Sequence, residues 1–352
     1  MSIFLLVDIG AGTMDILYFD EGSDLHYKSV VKSPVRDISH KAAAIQGNLA
    51  VTGCEMGGGA ISDVLKERAR THEVVMSASS AATIHHDLDR VRSSGIRVVA
   101  DMEAEGFRGN PDFHPLVLQD LQMERLKGIV EGFGVPFAFD VVGVCAQDHG
   151  ISEPGVSHLD FRHDIFKAVL DDQPYAHALL FAGNEVPHYL SRLSSIAQSA
   201  MSIPAKEIYV MDSGIAAILG ASMDAEARSR QNFMILDVAT SHTLGAAIMG
   251  REIAGFFEYH TRDITPGRLE VLLRELADGR IDHKKILAEG GHGAYIRRHF
   301  GFEATEAIIA TGPRRALVQD LGPPMVLGAP LGDNMMTGTV GLLEAIRRRK
   351  GL

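Results

Sequence analysis

Two segments near opposite ends of the chain follow one plan, and that repetition limits the possible folds more than any single motif. The first, LLVDIGAGTMDILYFD over residues 5–20, runs from an apolar strand through Asp8 into a turn of Gly10, Ala11, Gly12 and Thr13, then Asp15 and strand-forming residues again. The second, FMILDVATSHTLGAAI over residues 233–248, repeats the order with Asp237, then Thr240, Ser241, His242 and Thr243. An apolar run broken by a short turn of small residues and then resumed is the pattern of a buried β-hairpin. Glycine in the turn permits positive φ and close approach of a ligand. Successive N–H groups in such a turn form a concave nest that suits phosphate oxygens. Carboxylates beside that nest repel an anion unless a hard divalent cation lies between, as Mg²⁺ does through its retained waters. For one copy alone, a glycine turn with aspartates selected for turn chemistry explains as much. The second copy weighs against that explanation.

The rest of the chain alternates strands and helices, an α/β layer pattern. Gly57, Gly58 and Gly59 open a helix over Ala60 to Arg70, followed by a strand near Val74 to Met76, a helix from Ala81 to Ser94 and a strand from Ile96 to Ala100. A buried strand from Asp140 to Ala146 ends in Gln147, Asp148 and His149. A more polar stretch, about 152–206, has breaks at Pro154, Pro174 and Pro187 and reads as a largely helical insertion. Glu207 to Met211 is a strand, and Asp212 opens a small-residue helix to Ser222. A helix at Pro266 to Ala277, strands at Ala307 to Ala310 and Met325 to Leu327, and a helix from Thr337 complete the chain. With 352 residues, two lobes are expected in place of one core. The expected division is 1–222, including the insertion, and 223–352, with the last helix packing back on the first lobe.

Composition narrows the function. A formal net charge of -11 argues against nucleic-acid or anionic-membrane partners, which need a concentrated basic surface. The apolar run Ile3 to Val7 is too short for a signal peptide, and no stretch approaches the ~20 apolar residues of a membrane span. With two cysteines, Cys54 and Cys145, a reducing cytoplasm is the expected location. Two cysteines also fall short of a cysteine-held iron–sulfur cluster or a Cys-rich zinc site.

The segment from Asp8 to Asp15 resembles the phosphate-1 motif of the actin, sugar kinase and heat-shock chaperone ATPase (ASKHA) superfamily. Asp212-Ser-Gly-Ile-Ala-Ala-Ile-Leu-Gly220 resembles its first connecting helix, and Asp237 to Thr243 its phosphate-2 hairpin, with Ala239 and Thr240 where that family prefers glycine. Ile308 to Pro313 resembles the adenosine turn, and Thr337 to Ala345 the second connecting helix. The resemblance implies two RNase H-like lobes around a nucleotide cleft, with ATP and Mg²⁺ as cofactors. It places Gly10, Ala11, Gly12, Thr13, Thr240, Ser241, His242, Thr243, Thr311 and Gly312 at the nucleotide, and Asp8, Asp15 and Asp237 around Mg²⁺, mainly through water. Asp8 and Asp212 become catalytic candidates. Asp212 occupies the position where sugar kinases of the superfamily carry their catalytic aspartate, while its other reading is a helix N-cap. Gln147, Asp148 and His149 are candidates for binding a polar substrate, or simple turn residues.

Within the superfamily, MGGGAISDVLKERA, VCAQDHG, GGHG and LGDNMMTGTVGLLEA resemble the DUF1786 family, some of whose members are labelled pyruvate formate-lyase activating enzymes. Such activators need a CxxxCxxC cluster motif that Cys54 and Cys145 do not provide. The expected activity is phosphoryl transfer from Mg-ATP to an unknown small metabolite. The alternatives are an ATPase whose lobe movement activates or remodels a partner protein, and an actin-like filament protein.

Overall fold

The structure, a computed structural model, describes residues 2–23, 25–153, 155–321 and 324–352; Pro154 lies outside them. The first apolar run folds as β1 (Ile3–Ile9), which pairs antiparallel with β2 (Thr13–Asp20) in a register that sets Asp8 opposite Asp15. β3 (Leu25–Lys32) extends the hairpin. Ser33 caps α1 (Pro34–Ala44), and Pro34 stands in the first turn, where a missing N–H carries no penalty.

A separate parallel sheet follows, built from β4 (Asn48–Gly53), α2 (Ala60–Arg68), β5 (Val74–Ser77), α3 (Ala78–Ala81), α4 (Leu88–Ser93), β6 (Arg97–Val99), α5 (Asp101–Phe107) and β7 (Phe113–Leu118), with strand order β6-β5-β4-β7. Its core holds Leu49, Val51, Ile61, Leu65, Val74 and Met76. The single helix expected over 81–94 is instead two short ones. The chain turns at Thr83, whose hydroxyl accepts from the Met56 N–H and whose carbonyl accepts from Ser62, and Asp87 caps a new helix.

The chain then supplies α6 (Met123–Glu131), β8 (Phe139–Ala146), α7 (His158–Asp172), β9 (Leu180–Ala182), α8 (Ser191–Ala200), β10 (Ala205–Met211) and α9 (Ser213–Ala221). The first six-stranded sheet runs β3-β2-β1-β8-β10-β9. The expected helical insertion at 152–206 is therefore not an added body. β9 joins the sheet, α7 buries Phe166 and Leu170 on one face, and α8 buries Leu193 and Ile196 on the other. Its polar composition belongs to the outer faces of amphipathic helices. The part that stands apart is the four-stranded sheet.

The second half comprises β11 (Asn232–Val238), β12 (His242–Met249), β13 (Glu252–His260), α10 (Pro266–Ala277), α11 (His283–Ala288), β14 (Gly293–Ile296), β15 (Ala307–Thr311), β16 (Met325–Leu327) and α12 (Thr337–Lys350), with sheet order β14-β13-β12-β11-β15-β16. Both six-stranded sheets contain three antiparallel strands, β3-β2-β1 and β13-β12-β11. Two parallel strands follow in each, β8-β10 and β15-β16. This repeat of mixed α/β sheets resembles the two-lobed arrangement expected from the ASKHA-like motifs.

α9 and α12 cross within a core that joins both sheets, where Ile215, Leu342 and Ile346 meet Leu6 and Val141 of one sheet and Ile235 and Ile309 of the other. A Cβ on Gly220 would collide with the Thr337 carbonyl, and one on Gly341 with the Ala216 carbonyl. The crossing thus brings Ala216 and Gly220 against Gly341. Gly214 faces the cleft. Among the described residues, no helix is long and apolar enough to cross a membrane.

Candidate functional site

The two hairpin turns are held by matching sets of three hydrogen bonds. In the first, the Gly10 N–H donates to the Thr13 carbonyl (3.0 Å), while Ser33 donates its hydroxyl to the Gly10 carbonyl (2.6 Å) and its N–H to the Gly12 carbonyl (3.1 Å). In the second, the Ala239 N–H donates to the His242 carbonyl (3.0 Å), while Thr261 donates its hydroxyl to the Ala239 carbonyl (2.9 Å) and its N–H to the Ser241 carbonyl (2.8 Å). Ser33 thus corresponds to Thr261, Ala11 to Thr240, Gly12 to Ser241, and Thr13 to His242. Among the described residues, the N–H groups of Ala11, Gly12, Thr240 and Ser241 make no hydrogen bond within the chain. The turns face each other closely, since a Cβ on Gly12 would lie 2.7 Å from Thr240 Cγ2.

Asp8, Asp15 and Asp237 line the cleft beneath these turns. Asp8 accepts from the Ser213 hydroxyl (2.7 Å) and lies against Gly338, where a Cβ would strike its carboxylate. Burial raises its pKa to about 6, with the charges of Asp237 and Asp212 adding to the shift. Asp15 is 6% exposed, and burial followed by the charge of Asp8 pushes it up to about 8. Its Oδ1 is buried without a hydrogen-bond partner. Asp237 also rises to about 6 through burial, which outweighs the hydrogen bond it accepts from Thr311 (2.8 Å). Three mutually repelling carboxylates and an unpaired buried oxygen are a set of hard donors that fits a hydrated divalent cation.

The remaining expected residues divide between the cleft and its support. Gly312 lines the cleft at φ +86°, where a Cβ would strike the Val238 carbonyl, and its own carbonyl accepts from Asn334 (2.9 Å). Thr243 and Thr311 are wholly buried, their hydroxyls engaged with Thr261 and Asp237, so they brace the site from behind. Asp148 accepts from the N–H groups of Gly150 (2.8 Å) and Leu193 (2.9 Å), anchoring a turn against α8, and burial lifts it to about 6. His149 lines the cleft, its pKa driven well down by burial and by the charge of Arg162.

Asp212 caps α9 through the N–H groups of Gly214 (3.0 Å) and Ile215 (3.3 Å), so its N-cap reading describes the geometry. Both of its oxygens also accept from Arg162 Nη2 (3.1 and 3.0 Å), and it is 4% exposed. Arg162 Nη1 donates to Glu258 Oε2 (2.6 Å), while Glu258 Oε1 accepts from Gln147 (2.5 Å) and faces His292 Nδ1 at 3.2 Å. Burial alone would raise Glu258, but the Arg162 guanidinium and the His292 contact overcome it and hold the carboxyl well below its usual range. This network links α7 and the end of β10 to β13 of the second sheet. Arg162, Glu258, His260, Ser33 and Thr261 escaped sequence reasoning. The available signal was Glu258 itself, a charge within the otherwise apolar strand IAGFFEY.

The cleft has a volume of about 1740 Å³ and is lined on a third side by Glu55 to Gly59 and Thr83 to Asp87, in the connections between β4 and α2 and between α3 and α4. Typical small-molecule pockets hold roughly 300–1,000 Å³, so the cleft has room for more than one small molecule. Arg192 fixes the third side, pairing with Asp120 (2.8 Å) and donating to the Gln147 carbonyl (2.7 Å).

A family model described as "Putative pyruvate format-lyase activating enzyme (DUF1786)" matches residues 56–317, more than half of the chain. The chain belongs to the DUF1786 family. This DUF1786 protein holds Cys54 and Cys145 as free thiols, Cys145 buried behind Asp8, and two cysteines do not fit a cysteine-ligated cluster. No curated protein matches the sequence. Among solved structures, it is similar to a ROK hexokinase from Thermus thermophilus (13% identity, covering 99% of this chain and 100% of that one, TM-score 0.33). It is also similar to the Lmo2764 protein of Listeria monocytogenes, described as a putative N-acetylmannosamine kinase (10% identity, 99% of each chain, TM-score 0.35). A third is an exopolyphosphatase from Cytophaga hutchinsonii ATCC 33406 (10% identity, 88% of this chain and 66% of that one, TM-score 0.26). The fold of the DUF1786 chain follows from its sheet order and register, not from these distant likenesses.

Proposed function

We propose that this DUF1786 protein binds Mg-ATP in the cleft and transfers the terminal phosphoryl group to a small polar metabolite. The observation that carries this reading is the meeting of two equivalent hairpin turns, Gly12 against Thr240, above Asp8, Asp15 and Asp237. The free N–H groups of Ala11, Gly12, Thr240 and Ser241, with the side chains of Thr13 and His242, would receive the phosphate oxygens. The Gly312 turn would take the adenosine. Asp8, Asp15 and Asp237 would hold the hydrated cation, which when bound neutralises charge on the phosphate oxygens.

Phosphoryl transfer asks a protein chiefly for positioning and electrostatics. Asp212 would orient the acceptor hydroxyl once its pair with Arg162 opens, and Gln147 and His149 would line the acceptor side. That engagement of Asp212 also favours a second reading. A buried Arg162 bridge between Asp212 and Glu258 suits an ATPase that couples hydrolysis to lobe movement on a partner protein.

The deciding experiment supplies terminally labelled ATP and a metabolite extract. Label in an organic product supports transfer; label only in inorganic phosphate supports the second reading. Absence of Mg-ATP binding by calorimetry overturns both. Asp8→Ala is expected to weaken Mg-ATP binding about tenfold or more. Asp212→Ala is expected to bind normally and lose turnover, and unchanged turnover would remove Asp212 from the chemistry.

A further inference from the structure

We infer that His242, His260 and His292 form a binding site for a divalent transition metal, with Zn²⁺ as the expected occupant, on the second-lobe wall of the cleft.

Backbone structure brings these residues together without help from a ligand. His242 opens β12 and His260 closes β13, and the two are direct cross-strand partners. His292 precedes β14, and its N–H donates to the Glu258 carbonyl (2.8 Å). The loop around it admits only small neighbours. Gly293 has φ +112°, and a Cβ on Gly291 would press on Ile286 and the Glu258 carbonyl. One ligand atom from each of the three imidazoles lies within 4.8 Å of the others. His260 Nε2 and His292 Nε2 are 3.2 Å apart. Two nitrogens at ordinary zinc distances in a tetrahedral site are separated by ~3.3 Å, so this pair already spans one edge. The His242 ligand atom stands within 4.8 Å of both, and its closer approach would complete the face.

The surrounding groups orient the ligands. Glu258 Oε1 faces His292 Nδ1 at 3.2 Å, so a proton held on Nδ1 leaves the Nε2 lone pair directed at the other rings. A carboxylate behind a ligating histidine fixes the tautomer and strengthens the ligand. Glu258 is itself fixed by Arg162 and Gln147. His242 Nε2 is buried with no hydrogen-bond partner. A plain hydrogen-bonded histidine pair accounts for His260 and His292 but leaves that atom unsatisfied, at a cost of about 1–3 kcal/mol.

The donor set decides the class of ion. Three imidazole nitrogens suit zinc, cobalt, nickel or ferrous iron, whereas Mg²⁺ and Ca²⁺ select oxygen. The site is therefore chemically distinct from the Asp8, Asp15 and Asp237 cluster. All three histidines line the cleft, so a fourth position is open to water or to a substrate oxygen. His242 is shared with the second hairpin turn of the proposed nucleotide site, so the test is made without nucleotide and its outcome does not depend on whether ATP binds.

The test is Co²⁺ titration of the chelator-treated full chain in the absence of nucleotide, read by visible absorption. One equivalent should give intense bands of low coordination number, displaced by Zn²⁺ and unaffected by excess Mg²⁺. His260→Ala and His292→Ala should abolish the bands, and Glu258→Gln should weaken binding ~10–100-fold. Circular dichroism reports whether each variant is folded; should His292→Ala misfold, the partly exposed His260→Ala decides. No saturable band in the folded wild type, weak octahedral-type absorption only, or equal Co²⁺ affinity in folded His260→Ala overturns the site.

Discussion

In the chain without nucleotide, Asp15 retains its proton to about pH 8, while Asp8, Asp148 and Asp237 do so to about pH 6. Each ionises near 3.8 when unperturbed, so each contributes stability that is lost as pH rises from about 4 through its folded value. Burial shifts His149, His163 and His242 the other way, and those imidazoles contribute stability that grows as pH rises to about 6.5, the ordinary histidine value. Above that value Asp15 is the aspartate still losing its proton, so differential scanning fluorimetry from about pH 7 to about pH 8 should show a declining melting temperature that Asp15→Asn flattens. A melting temperature that climbs over that interval would refute the assigned protonation. The turn anchors make a second prediction at this scale. Ser33→Ala and Thr261→Ala each remove a part-buried hydrogen bond to a turn carbonyl and should each cost about 0.5–1.5 kcal/mol in urea unfolding. Asp8, Asp15 and Asp237 were legible in the sequence because their spacing around small-residue turns has a local chemical reason. Arg162 and Glu258 were not, because their partners lie 50 and 96 residues away and no local pattern records such a pairing.

At the scale of elements, the crossing of α9 and α12 depends on missing side chains. Gly341→Val would drive carbon into the Ala216 carbonyl. Overpacking of this kind is expected to cost about 1–3 kcal/mol, visible as a lower urea midpoint at unchanged slope. The small-residue composition of α9 was readable from sequence, but which of its residues meet α12 was not. Gly214 sits one turn too early, at the N-terminus of α9, where it faces the cleft and Leu244. The strands of the two hairpins were legible as unbroken apolar runs, since they are buried on both faces. The segment from Ala78 to Ser93 was not, because tertiary hydrogen bonds at Thr83 override a continuous helical pattern. The stretch 152–206 misled for a related reason: the polar outer faces of α7 and α8 conceal the apolar stripes that attach them to the first sheet.

Across the whole molecule, Arg162 is 6% exposed and joins Asp212 at the end of β10 to Glu258 on β13. Arg162→Met strands two buried carboxylates and should destabilise the chain by about 3–5 kcal/mol, whereas adding Asp212→Asn and Glu258→Gln should recover much of that loss. Equilibrium unfolding of the single and triple variants would separate the two outcomes. The closing helix carries a different consequence. α12 packs Leu342 and Ile346 against Leu6 and Gly143, so the earliest hairpin and the final helix complete one another. At translation rates of roughly 5–20 residues per second, the first strand emerges tens of seconds before its covering layer exists. Throughout that interval the nascent chain displays a bare apolar surface, and a polypeptide ending before Thr337 would be one that no amount of waiting could close.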